Sequence, residues 1–192
     1  MKKRRVLSVV LAASMFAMLL TGCGGGNQGS AEGSQAAAIG QGVAEAESCI
    51  KIGVSGTPDL DPAIVNTGSS LIAAINIYDT LIFPSNEADE GVIPRVAEDW
   101  TISEDGLTYT FNLKKGIKFH NGDELTASDV VYSMDRLLTI GEGYAYIFTS
   151  YVEPGTTVAV DDYTVEFHLK QAYGPFINAL VRLYILNEDE VK

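Results

Sequence analysis

The residues best equipped for chemistry in this chain of 192 are two histidines and two cysteines, and they are not spaced for catalysis or metal binding. Neither His120 nor His168 has a second donor at metal-ligand spacing, and neither stands beside a serine or cysteine nucleophile. Gly53-Val54-Ser55-Gly56 departs from the Gly-x-Ser-x-Gly elbow, and there is no His-Glu-x-x-His. A secreted hydrolase is the competing class, but a working carboxylate pair needs a defined separation in space, and abundant acidic residues do not make one. The expectation is therefore no enzyme, no catalytic residue, no cofactor and no metal site. What remains is the thiol of Cys23, whose neighbours suggest a different chemistry.

Lys2, Lys3, Arg4 and Arg5 form a basic start, followed by an uncharged apolar run from Val6 to Leu20. This is the layout of a signal peptide, and the run is short for a membrane span, which needs roughly 20 apolar residues. Leu20-Thr21-Gly22-Cys23 resembles the lipobox of bacterial lipoproteins. That resemblance implies cleavage before Cys23 and acylation of its thiol; ordinary secretory cleavage nearby, with Cys23 incidental, is the alternative. One acyl chain holds a protein only marginally, at about 0.8 kcal/mol per buried methylene, whereas two or three chains hold it stably. Residues 1–22 thus read as a lipoprotein signal peptide. Residues 23–48, rich in Gly, Ala, Gln and Ser, read as a flexible tether to a globular body. Cys49, at the tether's end, is expected to be a small, buried or half-buried thiol with nothing nearby to activate it.

Charge narrows the function further. The chain has 13 basic and 25 acidic residues, a net charge of −12. Removing residues 1–22 takes away four basic residues and no acidic one, which leaves a net charge of −16. Such a body repels phosphate backbones and anionic lipid, so nucleic acid is excluded and the anchor must supply membrane attachment. With 46% apolar and 9% aromatic residues the chain can build one ordinary core.

The body, residues 49–192, reads as mixed α/β. Ile50 to Val54 alternates as a short strand, and Ser55 to Pro62 is a loop with two prolines. Ser69 and Ser70 are expected to cap a helix that buries Leu71, Ile72, Ile75, Ile77, Tyr78 and Leu81. Leu107, Tyr109, Phe111 and Leu113 alternate with polar residues as a half-buried strand, with turns at Asp105-Gly106 and Lys114-Lys115-Gly116. Ile117 and Phe119 resume the alternation up to Asn121-Gly122. Thr126 and Asp129 form a capping box before a helix whose buried face is Val130, Val131, Met134, Leu137 and Leu138. Val158 and Val160, a turn at Asp161-Asp162, and Tyr163, Val165, Phe167 and Leu169 make a second hairpin. A last helix runs from Phe176 to about Leu186 after Gly174-Pro175.

Several of these stretches in order resemble one family: Leu60-Asp61-Pro62, Pro94 to Trp100, Asp105 to Phe111, Leu113 to Gly122, Leu125 to Ser133, and Val160 to Val165. Together they are similar to the family 5 extracellular solute-binding proteins, the oligopeptide, dipeptide and nickel binding components of ABC importers. The resemblance implies a periplasmic-binding-protein-like class II α/β fold of two lobes that close on a ligand. This sequence would hold only the N-terminal part of lobe I with its extra subdomain, the second lobe being absent. Residues 50 to about 65 would start the lobe's sheet, and residues 66 to about 170 would form the subdomain. Trp100, Tyr109, Phe111, Phe119 and Tyr132 would serve packing, His120 a turn, and His168 the exposed face of a strand.

The resemblance also implies where a ligand would lie. Asn66, Thr67 and Gly68 would sit at the cleft edge and offer main-chain hydrogen bonds to an extended peptide. Tyr144 falls where related binders place a tyrosine beside the bound chain, although a loop tyrosine packed on its own subdomain fits the residues equally. Implied partners are a peptide, a nickel complex or another small solute, and ABC permease subunits. The protein is expected to work as a monomer, lipid-anchored at the extracytoplasmic face of the cell membrane. A truncated gene product without ligand binding accounts for the same motifs.

Overall fold

The computed structural model describes residues 50–89 and 91–192. The leader of residues 1–22, Cys23 with its proposed acyl chains, the tether of residues 23–48 and Cys49 lie outside them. Among the described residues no helix is long and apolar enough to cross a membrane.

The body opens with a correction. Ile50 to Val54 is unpaired, and Ile50 and Ile52 are 90% and 58% exposed. Alternation gives a segment two faces, but a strand persists only when its N–H and C=O groups meet a partner edge, and none of the described strands pairs with this segment. The lobe's sheet therefore does not start at residues 50–65 among the described residues.

Helix α1 spans Gly68–Ile77, and its N-cap is Thr67 rather than either serine. Its buried residues are Ser69, Ser70 and Ala74, whereas Ile72, Ile75 and Ile77 are exposed. Leu81 lies beyond the helix and is fully buried. The expected face holds at Leu71 and Tyr78, which pack half-buried against Val65, Ala74 and Tyr184, and at Leu81, but fails at the three isoleucines. The hydroxyl of Ser70 is drawn inward because it accepts from the Asp59 N–H at 2.9 Å and from the Thr67 hydroxyl at 2.8 Å, which sews the preceding loop onto the helix. Hydrogen bonding has overruled hydropathy at this element.

Strands β1 (Ile82–Pro84) and β2 (Val92–Pro94) form a small antiparallel ribbon. The main sheet has four antiparallel strands in the order β3-β4-β6-β5, with β3 at Ala97–Ile102, β4 at Thr108–Leu113, β5 at Thr157–Asp161 and β6 at Thr164–His168. The predicted alternation holds in the two central strands, where Tyr109, Phe111 and Leu113 of β4 and Val165 and Phe167 of β6 are buried. It fails in β5, where Thr157 is buried while Val158 and Val160 face solvent. This strand lies at the sheet's edge, and its pairing slips between Ala159 and Asp161.

Helix α2 (Ala127–Ile140) covers the sheet with Val130, Met134, Leu137 and Leu138. The Asp129 carboxylate accepts from the Thr126 N–H at 2.8 Å at the helix start, and Gly141 closes the end in the left-handed conformation at φ 71°. Aromatic rings fill the core. Tyr109 and Phe176 have ring centroids 4.7 Å apart, and Phe111 meets Phe167 edge-on at 5.7 Å. Of the rings expected to pack, Tyr109 and Phe111 are buried, Trp100 and Phe119 rest half-buried against the core, and Tyr132 instead carries the ammonium of Lys192 5.8 Å from its ring centroid.

The expected last helix is broken. Helix α3 covers only Phe176–Ala179, a 3₁₀ turn follows at Leu180–Arg182, and a four-residue helix, α4, closes the chain at Glu188–Val191. Between them Leu183, Tyr184, Ile185 and Leu186 are all buried. Four consecutive buried residues suit an extended segment covered on both sides, whereas a surface helix turns part of each turn to water. Backbone bonds hold it there: the Ile185 N–H donates to the Asp79 carbonyl at 2.9 Å, and the Leu186 N–H donates to the Ser133 hydroxyl at 2.8 Å.

Candidate functional site

Leu60-Asp61-Pro62 is braced from behind. Both Asp61 carboxylate oxygens accept from Arg136 of α2 at 2.7 Å, and Oδ1 also accepts from the Ala63 N–H at 3.0 Å. The Tyr78 hydroxyl donates to the Leu60 carbonyl at 2.9 Å. The hydrogen-bonded Arg136 guanidinium holds the Asp61 carboxyl below the usual carboxylate range, and the same bond raises Arg136. The motif is thus a clamp that fixes the loop to α2 and to the end of α1.

The loop beyond the clamp carries the candidates named from the sequence. Asn66 is exposed, and its side chain makes no hydrogen bond among the described residues. Thr67 is committed to structure: its hydroxyl oxygen accepts from the Ser70 N–H at 3.1 Å while donating to the Ser70 hydroxyl. Gly68 opens α1, and a Cβ built there would meet open space.

Tyr144 comes from a distant stretch of chain to the same place. Gly143 precedes it at φ 53°, and a Cβ on Gly143 would fall 2.7 Å from the Ala63 carbonyl oxygen. Only glycine brings the two backbones this close. Tyr144 then packs against Val65, Ala74 and Tyr184, with Leu71 and Tyr78 beside them. Tyr144 thus packs on residues that flank the loop Asn66–Gly68, Val65 before it and Ala74 after it.

Residues that sequence reasoning missed adjoin Tyr144. The Arg182 guanidinium lies 5.0 Å from the centroid of the Tyr144 ring. Beside it is Tyr184, 5% exposed, whose buried hydroxyl has no hydrogen-bond partner among the described residues. Burial raises the Tyr184 hydroxyl above the usual phenol range. A signal for Arg182 was present: it is the one charge in Ala179-Leu180-Val181-Arg182-Leu183. Arg136 had no such signal, because its partner lies 75 residues away.

A larger groove of about 310 Å³ lies elsewhere, between Tyr78, Phe119, Leu186 and Val191, with His120 and Asn121 at its rim. None of Asn66, Thr67, Gly68 or Tyr144 lines it. His120 stands in a turn and His168 half-buried on β6, its ring 3.4 Å from Glu166. No cluster of three His, Cys, Asp or Glu side chains suited to a metal occurs among the described residues.

Residues 91–191 match the model of the bacterial extracellular solute-binding proteins, family 5 Middle. The chain is 36% identical over 141 residues to the dipeptide-binding protein of Escherichia coli K12, an alignment covering 64% of this chain and 26% of that protein. It is 32% identical over 136 residues to di/tripeptide-binding protein 1 of Pseudomonas aeruginosa, covering 62% of this chain and 25% of that one. Among solved structures it resembles the ABC transporter-associated periplasmic binding protein DppA from Helicobacter pylori in complex with the peptide STSA. The identity there is 33% and the TM-score 0.57, over 68% of this chain and 29% of that one. Such neighbours are two-lobed periplasmic binding proteins, and the chain spans about a quarter of the length of the curated relatives it matches.

Proposed function

We propose that this chain, which belongs to the bacterial extracellular solute-binding proteins of family 5, supplies one wall of a peptide-binding cleft that serves an ABC importer. The observation that supports this reading is the packing of Tyr144 on Val65 and Ala74, which flank the exposed loop Asn66–Gly68, with the preceding Asp61 fixed by Arg136. Residues 66–68 are exposed, so main-chain groups there that the helix does not use are open to a ligand. Main-chain pairing captures extended peptides of many sequences, since backbone groups are common to all of them. The importer's permease is the proposed recipient. A nickel complex as cargo draws no support from the described side chains, which offer no ligand cluster.

Calorimetry with tri-alanine provides the test. The chain alone is expected to give no saturable heat, because a closing cleft draws its affinity from contacts on both walls. A chimera that continues from Lys192 into the unmatched part of the Escherichia coli relative is expected to bind, and Tyr144→Ala to weaken it about tenfold, as loss of one packed aromatic contact does. A folded chimera that binds no peptide, or one indifferent to Tyr144, overturns the assignment.

The proposal extends to attachment: Cys23 is acylated after the leader is removed, and the tether of residues 23–48 lets the body reach its partner from the outer face of the membrane. Labelled palmitate is expected to enter the protein and to be absent from Cys23→Ala. Label persisting in that variant refutes the anchor and leaves the cleft untouched.

A further inference from the structure

The turn between Phe119 and Asp123 carries the one asparagine of the chain that is followed by glycine, Asn121-Gly122. Asparagine is a thermolabile residue, and its conversion begins when the backbone nitrogen of the next residue attacks the side-chain amide carbon. Glycine leaves that nitrogen unhindered, because it has no side chain to crowd the ring that forms. Asn121 and Gly122 are both exposed, and nothing lies within 4 Å of where a Cβ on Gly122 would be. The corner is open to water.

The contacts of this side chain give the conversion a consequence. The Asn121 Nδ2 donates to the Asp123 carboxylate at 2.5 Å and to the Glu190 carboxylate at 3.1 Å. Glu190 belongs to α4, so one amide ties the closing helix to a turn 69 residues earlier. The same Asp123 oxygen accepts from the Asn187 Nδ2 at 3.1 Å, and the Glu188 N–H donates to the Asp129 carboxylate at 2.9 Å. None of the four residues of α4 is buried, so polar contacts rather than a core keep it in place. Val191 of this helix lines the groove beside Phe119.

We propose that Asn121 is a deamidation site whose conversion unlatches α4. The Gly122 nitrogen bonds to the Asn121 Cγ and gives up its proton, the Cγ–Nδ2 bond breaks, and ammonia leaves with that proton. Water then opens the cyclic imide at either carbonyl and yields aspartate or isoaspartate; nothing is oxidised or reduced. A carboxylate at this position only accepts, so both bonds from Nδ2 are lost, and it meets Asp123 and Glu190 as a like charge. An aspartate keeps one role, because the Asp123 N–H, now bonded to the Asn121 Oδ1 at 3.0 Å, still finds an acceptor. The turn is retained while the helix is let go. The turn also sets the pace: the Gly122 N–H donates to the Phe119 carbonyl at 3.0 Å, and that bond must open before the nitrogen can attack.

The experiment ages the full chain in mildly alkaline buffer beside a free peptide of residues 117–125, with mass spectrometry of the digest reading acid and isoacid at each asparagine. Asn121 is expected to convert ahead of every other asparagine of the chain and more slowly than in the peptide. Hydrogen exchange reads the helix. In the aged protein and in Asn121→Asp, exchange at the Glu188 and Lys192 amides is expected to rise about tenfold, as loss of a hydrogen bond to a carboxylate implies, while Phe111, fully buried in β4, keeps its protection. Asn121→Ala, which loses the bonds without adding a charge, is expected to fall between wild type and Asn121→Asp, and added salt to narrow the gap between the two variants. An Asn121 that converts no faster than the other asparagines overturns the site. Wild-type protection of α4 in Asn121→Asp, or a rise that Phe111 shares, overturns the latch.

Discussion

Gly143→Ala is the substitution whose cost can be worked most directly from the structure. Two penalties apply. The first is conformational: at φ 53° an alanine sits in the left-handed region, which costs about 1–2 kcal/mol, partly offset by about 0.4–1 kcal/mol from a stiffer unfolded chain. The second is steric. The new Cβ would lie 2.7 Å from the Ala63 carbonyl oxygen and 3.1 Å from the carbonyl carbons of Ala63 and Ile64, all of them backbone atoms that cannot swing aside. Forcing such a contact apart costs about 1–3 kcal/mol. Gly155→Ala is the control, because Gly155 has φ 82° and nothing within 4 Å of its Cβ position, so it carries the first penalty alone. In urea denaturation the two variants are expected to differ by about 1–3 kcal/mol, a shift in midpoint of about 0.5–1.5 M for a slope near 2 kcal/mol per molar. Tyrosine emission should change in Gly143→Ala as Tyr144 leaves its seat by Arg182 and Tyr184, and should not change in the control. Equal midpoints for the two variants would show that residues 63–64 and 143 are not in contact, and the packing of Tyr144 beside the loop would fall with them.

Asp61→Asn should cost about 1 kcal/mol at neutral pH, less than a buried ion pair because the carboxylate is partly exposed. The Asp61 carboxyl titrates lower when folded than when unfolded, so its contribution is present above the ordinary carboxylate value and is lost as pH falls through the folded one. Urea midpoints of wild type and Asp61→Asn are therefore expected to converge in acid; a gap that widens in acid refutes the clamp. Ser133→Ala should cost about 1–3 kcal/mol, because the buried Leu186 N–H loses its acceptor and the Asp129 carbonyl loses the Ser133 hydroxyl at 2.6 Å. Hydrogen exchange should then rise at Leu186; unchanged protection there would mean that the extended segment is held by something else.

Elements whose signal is local were legible in the sequence, and those that depend on a distant partner were not. Strand β4 announces itself because a period of two in Tyr109, Phe111 and Leu113 needs only one buried face, and α2 because Thr126, Asp129 and Gly141 mark both ends within the helix's own sequence. Ile50 to Val54 has the same kind of alternation but pairs with no strand among the described residues, because alternation alone does not supply an edge. Helix α1 misleads in the opposite sense: its isoleucines suggest a buried face, but Ser70 is pulled inward by bonds to Asp59 and Thr67. Leu183 to Leu186 look helical by hydropathy alone, whereas a bridge to Thr80, the carbonyl of Asp79 and the hydroxyl of Ser133 favour the extended form. The site divides along the same line. Asn66, Thr67, Gly68 and Tyr144 were placed through a family resemblance, whereas Arg136, Arg182 and Tyr184 gain meaning from contacts between remote segments.

That division separates what the loop and its supports use on themselves from what is left for a ligand. The Asp61 carboxylate, the Leu60 carbonyl and the Thr67 and Ser70 hydroxyls are all engaged within the protein, so the side chains that make the family motif recognisable are structural here. What stays uncommitted among the described residues is the exposed Asn66 side chain and the open space over Gly68. Under the proposed capture of peptides, pairing along such a wall leaves most of a peptide's sequence unread, because a backbone hydrogen bond is blind to the side chain beside it.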